Sequence, residues 1–141
     1  MVKIKIKKLV SDAVLPNYAH ASDAGMDIYS CEDLIIKPGY RALVKTGISL
    51  EFPKGYVALV WDKSGISKKG IITLAGVGDA GYRGEYKIVL LNVGSKDYEI
   101  KKGQKIAQIL IQPIVRGEIE EVFELNNSVR GEGGFGSTGL D

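Results

Sequence analysis

Short runs of β-type residues recur along the chain at close intervals, over residues 2–10, 26–29, 34–36, 41–50, 56–61, 71–74, 86–92, 98–100, 105–114 and 119–125. Turn signals stand between them at Pro38-Gly39, Thr46-Gly47, Pro53-Lys54-Gly55, Gly94-Ser95 and Lys102-Gly103. Many short strands punctuated this way predict an all-β sandwich or jelly roll. One segment departs from the pattern. Ser64 to Lys69, with Asp62 before it as a candidate N-cap and Gly70 after it as a candidate C-terminal cap, reads as a short helix or a one-turn connector. As a helix, its N-terminus would offer free N–H groups and a partial positive charge to a phosphate.

Composition narrows the chemistry. With 141 residues the chain is one domain, long enough for a real core. A net charge of +2 argues for neither nucleic acid nor membrane as a partner. Lys3, Lys5, Lys7 and Lys8 alternate with Val2, Ile4 and Ile6, the pattern of an edge strand whose lysines block edge-to-edge pairing. Cys31 is the only cysteine and His20 the only histidine. An intrachain disulfide is therefore excluded, as is a Cys/His zinc site built from one chain, and no Ser-His or Cys-His triad suggests itself. Cys31 reads as a small buried hydrophobe. No apolar run reaches membrane-spanning length, and the charged start Met1-Val2-Lys3-Ile4-Lys5 lacks a signal peptide's apolar region, so a cytoplasmic protein is expected.

Two stretches carry chemistry. Gly76 to Glu85 lies between the runs 71–74 and 86–92 and reads as the tip of a hairpin holding one carboxylate, Asp79, and one aromatic ring, Tyr82. Asp79 could orient a water and Tyr82 could lie under a sugar or base; equally, the pair could simply support the turn and cover an edge. The stretch 130–141 contains five glycines, the composition of a flexible tail. Its glycine N–H groups, Arg130, Ser137 and Thr138 also suit phosphate oxygens, and Phe135 suits a base, as in a lid over a nucleotide. No P-loop pattern is present.

Five motifs now stand in one order: Ala21 to Ile28, Asp62 to Ser67, Gly76 to Glu85, Gly103 to Gln108, and Arg130 to Gly139. Together they resemble the trimeric deoxyuridine triphosphatases over nearly the whole chain. The resemblance implies a jelly-roll, or distorted β-barrel, subunit with one short helix that assembles as a homotrimer with active sites at subunit interfaces. Residues 1–129 would form the jelly-roll domain and 130–141 a lid completing a neighbour's site. The reaction implied is dUTP plus water to dUMP plus pyrophosphate, with Mg²⁺ held mainly by the triphosphate. It would limit uracil incorporation into DNA and supply dUMP for thymidylate synthesis.

By the same resemblance, Asp79 would orient and deprotonate the attacking water, and Tyr82 would pack on the deoxyribose. Lys63, Ser64, Gly65 and Gln108 would hold the α/β phosphates. Arg130, Gly136, Ser137 and Thr138 would clamp the γ end while Phe135 stacks on the base. The main chain of Gly76, Val77 and Gly78 would read uracil. Lys87 would approach the phosphates or remain a solvated strand lysine. Asp27 would orient a basic partner near the site, and Arg83 would hold the trimer interface.

Three departures from the family pattern stand out. Asp62-Lys63 replaces a frequent Pro-Arg, so the guanidinium fork is lost. Thr73 replaces the Asn that bacterial members often place against the base, leaving either Thr73 or the main chain alone to read uracil. Gly78 replaces a usual Ile or Val, which predicts a more mobile tip. A dCTP deaminase resembles the same fold, but its acid/base Glu would fall at Val89, so no deamination is expected. A nucleotide sensor without turnover is the other alternative.

Overall fold

The computed structural model describes residues 1–135 and 137. Eleven strands and one helix follow in order: β1 (Lys5–Lys8), β2 (Met26–Tyr29), β3 (Leu34–Ile36), β4 (Arg41–Val44), β5 (Ile48–Glu51), β6 (Tyr56–Trp61), α1 (Ser64–Ser67), β7 (Ile71–Leu74), β8 (Val77–Asp79), β9 (Ile88–Asn92), β10 (Tyr98–Ile100) and β11 (Lys105–Pro113). All named pairings are antiparallel. A four-stranded sheet runs β2-β11-β6-β8 and a three-stranded sheet β4-β9-β7, while β1 joins β5 and β10 joins β3. This is the jelly roll that the turn spacing predicts. No helix among the described residues is long and apolar enough to cross a membrane.

The core lies between the sheets. Ile28, Ile71, Leu90, Ile100, Ile106 and Ile109 are fully buried, each burial contributing about 1.5–3 kcal/mol. Along β9, Ile88, Leu90 and Asn92 point inward. Buried Asn92 is tolerated because its amide donates to the carbonyls of Ile36 and Lys96, both at 2.8 Å, and its Oδ1 accepts from Gly94 N–H at 2.9 Å. In β1 the lysines face solvent as the alternation predicts.

Several expectations are corrected. The run 41–50 breaks at Gly47, whose φ of 69° turns the chain out of β4's sheet and sends β5 to pair with β1. Residues 119–125 form no strand. Asp62 does not cap α1; Lys63 occupies the N-cap position without a side-chain bond, since the Asp62 carboxylate is engaged elsewhere. Cys31 is half-buried rather than buried, and its desolvation, with Glu85, Glu32 and Asp12 nearby, pushes its thiol pKa up.

Candidate active site

The stretch 76–85 is more than a hairpin tip. Strand β7 pairs with β9 from Ile71↔Asn92 to Leu74↔Val89. The chain then turns at Ala75, and β8 crosses to the other sheet, pairing Val57↔Asp79, Ala58↔Gly78 and Leu59↔Val77 with β6. The return leg is held elsewhere. Tyr86 N–H donates to the Ile48 carbonyl at 2.9 Å, Thr46 Oγ1 to the Tyr86 carbonyl at 2.5 Å, and Gly47 N–H to Glu85 Oε1 at 2.9 Å. Drawn apart by different neighbours, the two legs leave a cavity of about 470 Å³. Its lining includes Gly76, Val77, Gly78, Asp79, Tyr82, Tyr86 and Lys87.

The ladder decides which main-chain groups face this cavity. Val60 N–H donates to the Gly76 carbonyl at 2.8 Å, and alternate residues of an antiparallel strand face its partner. Gly76 and Gly78 therefore turn their main chain toward β6. The N–H and C=O of Val77 and the N–H of Asp79 point the other way. An edge reading donor, acceptor, donor results. The glycines expected to read the base instead supply the pairing that presents their neighbours.

Asp79 is exposed at the end of β8, and among the described residues its carboxylate accepts no hydrogen bond. Tyr82 N–H donates to the Asp79 carbonyl at 3.0 Å, and the Tyr82 hydroxyl to the Glu85 carbonyl at 3.0 Å. The ring meets Tyr86 edge-on with centroids 5.6 Å apart, and it lies against Gly84: a Cβ there would approach the hydroxyl to 2.3 Å, so the ring would have to move. Arg83 closes the turn by donating to the carbonyls of Ala80 (2.7 Å) and Tyr82 (2.9 Å). It thus braces the ring's own loop.

A second cluster forms where β2, β6 and β11 adjoin. Asp27 is 4% exposed and holds Lys63 Nζ at 2.6 Å from Oδ1 and Lys105 Nζ at 2.6 Å from Oδ2. Burial alone would raise the Asp27 pKa, but the two ammonium groups outweigh it and keep the carboxyl below its ordinary range. Gln108 Nε2 donates to the Asp62 carbonyl at 2.8 Å, and Ser64 and Gly65 start α1 on the exposed side. Asp27 thus joins two basic partners, Lys63 and Lys105.

The structure separates the remaining candidates. Among the described residues, the cavity beside Asp79 is lined by neither Lys63, Ser64, Gly65 nor Gln108. Thr73 also lies off it, its N–H and hydroxyl both donating to Asp62 Oδ1 at 2.5 and 2.7 Å. Lys87 lines the cavity but is exposed, 3.8 Å from Glu85 Oε2. Arg130 Nε donates to the Gly133 carbonyl at 2.8 Å, and Phe135 is fully exposed. Ser137 N–H donates to the Gly134 carbonyl at 3.0 Å; Gly136 and Thr138 lie outside the described residues.

Two participants escaped the sequence reading. Tyr86 was read only as the first residue of a strand, and Asp62 only as a candidate cap and a departure from the family's Pro. The signals were Gly78, whose missing side chain leaves room for a ring, and the unusual Asp62-Thr73 combination.

Comparison with known proteins agrees with this geometry. The family model for dUTPase matches residues 11–139. The chain is 53% identical over 139 residues to the deoxyuridine 5'-triphosphate nucleotidohydrolase of Clostridium tetani, covering 96% of both chains. Its counterpart in Clostridioides difficile is 50% identical over 143 residues, covering 99% of this chain and 100% of that one. Among solved structures, the Staphylococcus bacteriophage 80alpha dUTPase with dUpNHpp superposes with a TM-score of 0.92 at 33% identity, covering 98% of this chain and 99% of the other. A variant of the dUTPase from phage phi11 of S. aureus, described with a structural Mg(II) ion, gives 0.81 at 30% identity, covering 86% and 97%. The chain belongs to the dUTPase family.

Proposed function

We propose that this chain hydrolyses dUTP to dUMP and pyrophosphate by attack of a water on the α-phosphorus, with Asp79 as the base. The observation that carries the reading is the position of Asp79: an uncommitted carboxylate at the end of an edge that reads donor, acceptor, donor. Uracil offers acceptor, donor, acceptor along its O4, N3 and O2 edge, whereas cytosine puts an amino donor where O4 would be. A polar edge left unpaired in a closed slot discriminates by about 10⁴ or more. With its hydroxyl proton given to Asp62, Thr73 has none to donate to O4. The main chain of Val77 and Asp79 therefore does the reading. Tyr82, which lines the cavity with Asp79, packs on the deoxyribose and leaves no room for a 2′-hydroxyl.

Asp79 takes the proton of the attacking water, and the bridging oxygen between the α and β phosphorus leaves with pyrophosphate. No covalent intermediate is required. Asp79 and Glu85 are the carboxylates of the cavity, and Glu85 is already bound to Gly47. Among the described residues no group of three or more acidic, Cys or His side chains comes together, which fits a Mg²⁺ that would be carried in mainly by the triphosphate. When bound, the ion would neutralise charge on the leaving pyrophosphate.

Phosphate contacts come from a second copy in this reading. Ser64, Gly65, Lys63 and Gln108 sit apart from the cavity within one chain, so a site uniting them with Asp79 draws on two subunits, and the 130–141 lid on the last of a homotrimer. Val115, Ile119, Phe123, Leu125 and Val129 are almost wholly exposed on one chain, as suits an arm that packs on a neighbour. Val89, in place of the deaminase carboxylate, is paired between Leu43 and Leu74 and offers no acid or base.

The test is pyrophosphate release with Mg²⁺ from dUTP, dCTP, dTTP and UTP in parallel, with ammonia followed in the dCTP sample. Release from dUTP alone is expected. Release from several nucleotides would overturn the edge-reading account, and ammonia from dCTP would overturn the exclusion of deamination.

A further inference from the structure

We propose that Asp62 is a positioning residue: its carboxylate locks β7, the strand that leads into the base-reading edge, to the loop that holds the phosphates. The inference rests on the dUTP reading above and adds a residue to it. One oxygen, Asp62 Oδ1, accepts both the N–H of Thr73 at 2.5 Å and its hydroxyl at 2.7 Å. The Asp62 carbonyl accepts Gln108 Nε2 at 2.8 Å, and Lys63 beside it is bound to Asp27. Asp62 follows β6 in one sheet and Thr73 lies on β7 in the other. The carboxylate is thus a bridge between two sheets, at the corner where the chain leaves one for the other.

That corner needs an anchor. Two residues after Thr73, Ala75 is held at φ 58°, a left-handed conformation that a residue with a Cβ adopts at a cost. Ala75 leads directly into Gly76 and β8. With Thr73 fixed by two bonds to a carboxylate, the strained corner has one direction and the Val77–Asp79 edge one position. Without them, Ala75 relaxes and the edge shifts. Asp62 and Thr73, which separately look like departures from the family pattern, form one device.

The experiment compares wild type with Asp62→Ala, Asp62→Asn, Thr73→Val, Thr73→Ser and the double variant Asp62→Ala/Thr73→Val. Readouts are kcat and KM for dUTP, the dUTP-to-dCTP ratio of kcat/KM, and amide hydrogen exchange across residues 76–79. Asp62→Ala is expected to raise KM more than it lowers kcat, to cut the dUTP preference about tenfold or more, the equivalent of one lost hydrogen bond, and to speed exchange at Gly78, whose main chain pairs with β6. Asp62→Asn and Thr73→Ser, which keep the acceptor and the hydroxyl, should stay near wild type. The double variant should be no worse than Asp62→Ala, which already removes both bonds, whereas Thr73→Val alone keeps the N–H bond and should be milder. Adding Ala75→Gly to Asp62→Ala should restore part of the preference, because glycine takes the turn without strain. Additive effects of Asp62→Ala and Thr73→Val, or unchanged exchange at 76–79 in Asp62→Ala, would overturn the lock. Hydrogen exchange needs no substrate, so the lock can fail or hold independently of whether wild type hydrolyses dUTP.

Discussion

The ring of Tyr86 occupies the space that a side chain at residue 78 would need: a Cβ on Gly78 would lie 2.7 Å from the Tyr86 hydroxyl and 2.8 Å from Cε1. The small residue in β8 and the large one in the return leg compensate for each other. The vacancy at Gly78 is filled by a ring only 5% exposed. Reintroducing bulk at Gly78 should expose the dependence. Gly78→Val is expected to destabilise the fold by about 1–3 kcal/mol through overpacking, and pairing it with Tyr86→Val should recover most of the loss. Thermal unfolding of the three variants checks this.

The Tyr86 hydroxyl is buried without a hydrogen-bond partner among the described residues. Its burial, with the nearby Tyr82 and Asp79 as lesser causes, pushes its pKa up to about 12. Because the folded pKa is the higher one, the associated stability is fully present below pH 10 and is lost as pH rises toward 12. Over that window the loss amounts to about 2–3 kcal/mol. Tyr86→Phe should remove this part of the alkaline dependence and be more stable at pH 7 by about 1 kcal/mol, since an orphan polar group is gone. Denaturant midpoints at pH 7 and pH 11 measure both effects; a less stable Phe variant at pH 7 would show that the hydroxyl has a partner.

Asp79→Asn removes the proposed base and keeps the size of the side chain. Turnover of dUTP should fall by about 10²–10⁴ while affinity for a non-hydrolysable dUTP analogue stays within a few-fold. Near-normal turnover would rule Asp79 out as the base.

Truncation before Arg130 should leave the fold intact, since residues 130–135 and 137 make only local turn bonds within the chain. The rate should nevertheless drop by about a hundredfold or more, because the proposed lid would make charge-assisted phosphate contacts of roughly 1.5–3 kcal/mol each. Calorimetry and size exclusion test the fold, and pyrophosphate release tests the lid.

Asp27→Asn strips Lys63 and Lys105 of their shared counter-ion. Both lysines are partly exposed and can rehydrate, so the expected cost is about 1–3 kcal/mol rather than that of a fully buried pair. The sign with pH follows from the lowered Asp27 pKa. Its stabilisation is present above the ordinary value of 3.8 and lost as pH falls through the lower folded value. Acid unfolding of the Asn variant should consequently be shallower than that of wild type below pH 4.

The all-β class, most strand limits, and the stretches around Asp79, Ser64 and Arg130 were legible in the sequence, because strand propensity, glycine turns and motif spacing are local properties of the chain. What the chain could not express locally was left to the tertiary structure. Whether 76–85 is a tip or a strand that changes sheets depends on β6 and on Thr46 to Ile48 pulling its legs apart. Which amides face the cavity depends on ladder parity, a relation between two strands. The links Asp62–Thr73, Asp27–Lys63 and Gly78–Tyr86 join residues whose fit appears only when packing brings them within bonding or contact distance. Local chemistry names the groups; packing decides which of them are already committed and which are left to meet a substrate.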